Sequence, residues 1–373
     1  MLNNYMVLTI IIAFFSIIGL LVLHEFGHFI VAKKFGVKVE EFGVGYPPRL
    51  FGKKIGETLY SINLLPFGAF VRVPQVDGEE TSMEDSPALE KKPIGQKVMV
   101  LLGGVVSFWI IAAILFSIVF YMGAPQAISD EEKGNLINVK VQILSVSSDS
   151  PAEGAGIRTG DVVKEMKIIS GTGEEKLEIE KIKQMQDFTE KHKGENIVLT
   201  IQRGKKTFEV SLVPRVSHAQ DEGSIGVALV RTTDRHYSLW QSPIKGVEAT
   251  INMTGAVIDG WGNILLGLIK GKGLPKGVQF VGPIGIGSLV SQAAQVGFTY
   301  FLQFIAMIAV YLAVFNILPI PSLDGGRLLF LAIEKIKGSP VNPRIEQNIN
   351  AAFFGVLILL MIWVTIKDII RIF

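Results

Sequence analysis

The chain contains no cysteine, only five histidines in 373 residues, and no charged residue between Tyr5 and Leu23. The first absence excludes disulfides and thiolate metal ligands, so imidazole and carboxylate are the available chemistry for holding zinc. A large excess of one charge sign is also missing. The 36 basic and 34 acidic residues leave a net charge of +2, which offers no broad basic surface for nucleic acid. Charged residues make up 19% against 49% hydrophobic, with a mean hydropathy of +0.42. Such a chain is too apolar for an ordinary soluble protein and long enough for several membrane spans plus a folded insert. No Lys or Arg precedes the first apolar run, so the basic n-region of a cleaved leader is missing and the first segment is expected to be retained.

What the first run does contain is His24-Glu25-Phe26-Gly27-His28. Residues four apart on an α-helix differ by about 40° in direction, so both imidazoles can reach one ion. Glu25 lies one position along and can act as general base on a water at that ion. Polar ionisable groups in an apolar helix are costly to bury, which makes them functional candidates and argues against two fortuitous core histidines.

Four segments read as spans: about Met6 to Ala32, Val98 to Met122, Phe298 to Leu318, and Ala351 to Ile366. The stretch from Lys33 to Lys97 is dense in Lys and Arg, including Lys53, Lys54, Lys91 and Lys92. The positive-inside rule then places the N-terminus outside, that stretch inside, and residues from about Gly123 to Gly297 outside. Between Glu40 and Val73, short strand-like runs with Gly and Pro turns predict a β-hairpin dipping toward the histidines, with an edge open to an extended peptide. A hairpin that merely packs on the helices is the alternative. Charges interrupt Pro243 to Leu274, which predicts a helix lying at the membrane interface; a fifth span is the other reading.

The insert differs in composition. VKVQILSV, NIVLTIQR and TFEVSLV read as strands, and Ile179 to His192 as a helix. Ser150-Pro151-Ala152 with Gly160-Asp161-Val162-Val163 resembles the turn and short helix of bacterial PDZ domains, and Gly223 to Val230 supplies the strand of a circularly permuted version. Such a domain binds a peptide C-terminus, or else limits access to the site.

Two histidines leave a catalytic zinc short of its usual three protein ligands. The segment Asn316-Ile317-Leu318-Pro319-Ile320-Pro321-Ser322-Leu323-Asp324-Gly325-Gly326 places a carboxylate in a proline-broken apolar stretch. Broken backbone at membrane depth is tolerated where it is buried in protein or lines a wet cavity, and Asp324 as third ligand explains both the charge and the break. Its alternative is a helix cap. Asn316 can donate to a developing oxyanion or orient substrate, or simply stabilise the break.

HEFGH and NILPIPSLDGG together resemble the site-2 protease family of intramembrane zinc metalloproteases, in its regulator-of-sigma-E protease branch with a single PDZ domain. The likeness covers nearly the whole chain, departing at Ala69 and around Gly103-Gly104-Val105-Val106-Ser107-Phe108. It implies zinc ligation by His24, His28 and Asp324, water activation by Glu25, and substrate or transition-state contact by Asn316. The expected fold is a polytopic α-helical membrane protein of about four transmembrane helices, with a membrane-associated β-hairpin and one inserted α+β PDZ-like extracytoplasmic domain. Its expected parts are 1–123, 124–232, an interfacial region 233–297, and 298–373. The resemblance also implies a bacterial cytoplasmic membrane location and single-span or signal-peptide substrates cut within the bilayer. A non-catalytic membrane scaffold and a metal transporter are the rival classes.

Overall fold

The computed structural model describes residues 4–72, 89, 92–134, 136–147, 149–170, 173–204, 206–217, 223–273 and 281–372. Val73, Lys91 and Leu274, which bound or belong to segments discussed above, lie outside the described residues. The chain divides into two compact units, one of residues 1–118 and 240–373 and the other of residues 119–239.

The first unit begins with helix α1 (Asn4–Lys34), whose apolar run, uncharged from Tyr5 to Leu23, matches a span. Gly36, at φ +70°, takes the left-handed conformation that ends it. The Gly36 N–H then reaches Lys33 O and the Val37 N–H reaches Ala32 O, both at 3.0 Å, satisfying last-turn carbonyls. The hairpin follows as β1 (Glu41–Ile55) and β2 (Thr58–Arg72), paired antiparallel. Its length comes from folding back on itself: Glu41–Val44 pairs with Leu59–Ile62 on one side and with Ala69–Arg72 on the other. Phe29 of α1 meets Phe42 and Tyr60 of the hairpin at ring separations of 5.3 and 5.9 Å, so the sheet is seated on the helix that carries both histidines. Glu41 is buried but not isolated. It accepts from Arg49 at 2.9 Å and Ser61 at 2.5 Å and pairs with Arg72 at 3.3 Å, which supplies the partners a buried carboxylate requires.

Helix α2 (Ile94–Met122) crosses α1 where both carry glycine. A Cβ on Gly27 would sit 2.3 Å from Gly103 O, and one on Gly103 2.8 Å from Val31, so this close backbone approach depends on small residues. After the insert come α5 (Gln241–Ile269), α6 (Pro283–Val296), α7 (Phe298–Ile317), α8 (Asp324–Lys337) and α9 (Pro343–Ile372). Among the described residues, four helices are long and apolar enough to cross a membrane: 11–34, 94–122, 298–317 and 344–370. They are the four expected spans, with helical structure running beyond the apolar windows at several ends because polar residues continue a helix once packing has begun it. Helix α5 is not among them. The protein is therefore a polytopic helical membrane protein carrying a β-containing region.

In the second unit the strands are β3 (Ala124–Ile128), β4 (Ile137–Val146), β5 (Val162–Ser170), β6 (Gly173–Glu178), β7 (Ile197–Arg203), β8 (Lys206–Leu212) and β9 (Val227–Arg235). They form one sheet in the order β3-β9-β4-β5-β7-β8, with β6 on β5. The short helix α3 (Pro151–Gly154) is capped by Ser150, whose hydroxyl accepts from the Glu153 N–H. Helix α4 (Ile182–Lys191) turns Met185 and Phe188 into a core shared with Val141, Met166, Ile197, Leu199 and Ile201. The last three alternate along β7, the inward face of a half-covered strand. Asp161 is buried and held by Arg203 through two contacts of 2.7 Å, which raise the guanidinium pKa above its ordinary value.

Candidate metal centre

The apolar run that makes α1 a span also turns His24 and His28 to one side of it. Both are buried, His28 completely and His24 to 8% exposure. Their Nε2 atoms lie 3.2 Å apart. Asp324 arrives from the other end of the sequence, 6% exposed, with Oδ2 at 3.3 Å from His24 Nε2 and 3.4 Å from His28 Nε2. These carboxylate contacts are longer than ordinary N–H···O hydrogen bonds. They agree instead with a tetrahedral ion: ligand bonds of about 2.0–2.1 Å put neighbouring donor atoms about 3.3 Å apart. Among the described residues Asp324 Oδ2 has no hydrogen-bond partner of its own, a costly condition for a buried oxygen that a cation would relieve. The three residues form a group able to hold one metal ion, and two imidazoles with one carboxylate are a donor set suited to zinc.

The surroundings fix the candidate ligands. His28 Nδ1 lies 2.9 Å from Val100 O of α2; donation of Nδ1–H to that carbonyl leaves Nε2 with the lone pair. A Cβ on Gly104 would fall 2.1 Å from His28 Nε2, so glycine is needed there for the ring to occupy its place. The His24 ring stacks on Phe108 at 4.6 Å and 14°. At the other end, Leu318 is extended and Pro319 and Pro321 interrupt the helix, so α7 stops at Ile317. The chain turns back tightly enough that a Cβ on Gly325 would meet Leu318 O at 2.1 Å, and one on Gly326 Ile320 O at 2.3 Å. Asp324 opens α8, with Leu323 rather than Asp324 at the cap position.

Glu25 neighbours the candidate ligand His24 on α1. From the hairpin, Tyr46 lies close enough to sense its charge: burial and then Glu25 push the phenol pKa up. The Tyr46 ring also stacks on Phe70 at 6.0 Å. Asn316 stands eight residues before Asp324 and donates its amide to Leu312 O at 2.9 Å, one turn back in its own helix. Ser107 likewise donates to Gly104 O, at 2.6 Å. Sequence reasoning brought the three ligand candidates to one place but missed Val100, Gly104, Phe108 and Tyr46 around them. Adjacent glycines in an apolar span were the available signal for a close approach at Gly104.

Hydrolytic metal chemistry set among apolar, membrane-length helices is the property of a membrane-embedded metalloprotease. The model of Peptidase family M50 matches residues 12–361, and the chain belongs to that family, the site-2 proteases. It is 33% identical over 366 residues to a zinc metalloprotease of Clostridium perfringens, covering 97% of this chain and 98% of that protein. It is 27% identical to zinc metalloprotease RasP of Oceanobacillus iheyensis, covering 98% and 100% of the two chains. The regulator of sigma-W protease RasP of Bacillus subtilis is 26% identical, with 97% and 99% covered. The protein is thus an intramembrane zinc metalloprotease.

Proposed function

We propose that this chain cleaves single-span membrane proteins or remnant signal peptides within the bilayer, with His24, His28 and Asp324 holding zinc, as part of regulated intramembrane proteolysis. The observation that carries the reading is the meeting of three buried ligand atoms, all within 4.8 Å of one another. Zinc, when bound, supplies Lewis-acid polarisation of the scissile carbonyl and makes water more acidic. Glu25 takes the proton from the attacking water and returns it to the leaving amine. Asn316, whose amide has a second N–H beyond the one given to Leu312, contacts substrate or the developing oxyanion. A helical substrate has its carbonyls engaged, so it must unwind near the site. The Ala69–Arg72 stretch pairs on one side with Glu41–Val44, and among the described residues its other side has no paired strand, which supports hairpin pairing with the unwound segment.

In the orientation proposed here, the N-terminus and the insert face outward and the Lys- and Arg-rich stretch faces inward, with α5 at the interface. From Met6 to His24 is about 27 Å of helix, so the metal lies nearer the inner face of a core about 30 Å thick. Cleavage releases a fragment inward. The insert acts as a PDZ-like module. A cleft of about 310 Å³ between α4 and the start of β9, lined by Ile182, Met185, Ser224, Ile225, Val227 and Leu229, favours capture of a peptide C-terminus over simple obstruction. The decisive experiment incubates purified wild-type and Glu25→Gln proteins with single-span peptides, with and without a chelator, and locates cuts by mass. Cleavage by wild type alone, lost on chelation, is expected; equal cleavage by both proteins would defeat the assignment.

A further inference from the structure

We infer that Asn350, on the last span, is a positioning residue for the zinc-ligand Asp324. Two residues before that ligand, Ser322 has φ +76°, a left-handed conformation unfavourable for any residue with a side chain. Such a conformation persists where neighbouring structure imposes it. Here the imposing residue is Asn350 of α9. The Ser322 N–H donates to Asn350 Oδ1 at 3.1 Å, and Ser322 Oγ donates to the Asn350 carbonyl at 2.6 Å. Both the backbone and the side chain of Ser322 are therefore held by one residue 28 positions away.

The consequence is carried forward by the chain itself. Ser322 is followed by Leu323, the cap residue of α8, and then by Asp324. The close fits at Gly325 and Gly326 leave this segment little room to adjust. A change in the Ser322 backbone therefore swings Asp324 relative to His24 and His28. Helix α9 is otherwise exposed over most of its apolar window, of which 6% is buried. A second tie lies near its far end, where Asp368 Oδ2 accepts from the Gly282 and Gly285 N–H groups, each at 2.8 Å. That second tie caps α6 and, among the described residues, makes no hydrogen bond to the loop that carries Asp324, which makes it the natural control.

This inference rests on Asp324 being a zinc ligand, and the test separates the two. Zinc retention against a graded chelator is measured for purified full-length wild type, Asn350→Ala, Asn350→Asp, Asn350→Ala with Ser322→Gly, Asp368→Ala and Asp324→Ala, each with its thermal stability. Asn350→Ala is expected to weaken zinc retention by about ten- to a hundredfold, the range for residues that orient metal ligands. Asn350→Asp, which keeps the acceptor, and the added Ser322→Gly, which accepts positive φ without strain, should each restore most of it. Asp368→Ala should lower thermal stability with zinc retention unchanged. Wild-type retention in Asn350→Ala, failure of both restoring variants, or an equal loss in Asp368→Ala would overturn the positioning role. Wild-type retention in Asp324→Ala would instead overturn the ligand assignment beneath it.

Discussion

At the scale of single residues, the candidate metal centre depends as much on what is missing from side chains as on what they carry. Gly104 has no Cβ, and the space one would fill belongs to His28 Nε2. Gly104→Ala should therefore displace the imidazole and lower bound zinc in the purified protein, measured by elemental analysis. Glu25→Gln is the converse case. It preserves size and removes the proposed base, so zinc content should stay near wild type while cleavage falls by about 10²–10⁴-fold, the usual worth of a positioned general base. The three side chains that meet were legible in the sequence as candidate ligands: His24 and His28 through helical spacing, Asp324 because an acid in a proline-broken apolar segment needs a reason. The groups behind them were not. Val100 contributes a main-chain carbonyl that no side-chain pattern reveals, and Phe108 is one apolar residue in an apolar span until its stacking on His24 is seen.

At the scale of elements, the hairpin shows how local backbone rules prepare a surface for chemistry. Gly45 has φ +77°, and a Cβ there would meet Leu65 O at 2.7 Å. Gly45→Ala should cost about 1–3 kcal/mol of local strain and loosen the hairpin without touching the ligands. The expected signature is reduced cleavage of a single-span peptide with undiminished zinc, read from parallel kinetic and metal assays. In the insert, Leu199 is fully buried in the β7 face. Leu199→Ala should destabilise that unit by about 2–5 kcal/mol, visible as faster hydrogen exchange within residues 119–239. Spans and strands could be anticipated because uncharged runs and alternation are local signals. The pairing of β4 with β9 could not, since Val146 meets Val227 across a long stretch of intervening chain. The short helix α6 also lacked a distinct local signature, since glycine and small residues interrupt its apolar pattern.

At the scale of the whole molecule, the membership in family M50 and the extended likeness to zinc metalloproteases agree with a chain whose two ends build one site. The insert is arranged so that its first and last strands are neighbours, Ala124 pairing with Arg235. Replacing residues 124–235 by a short glycine linker should thus leave the spans intact. Such a variant is expected to retain zinc while its cleavage of full-length membrane substrates changes relative to short peptides, a difference that gel-based assays with both substrate types would report. His24 and His28 are made early and Asp324 some three hundred residues later. Translation must therefore pass residue 324 before an ion could be gripped by all three side chains.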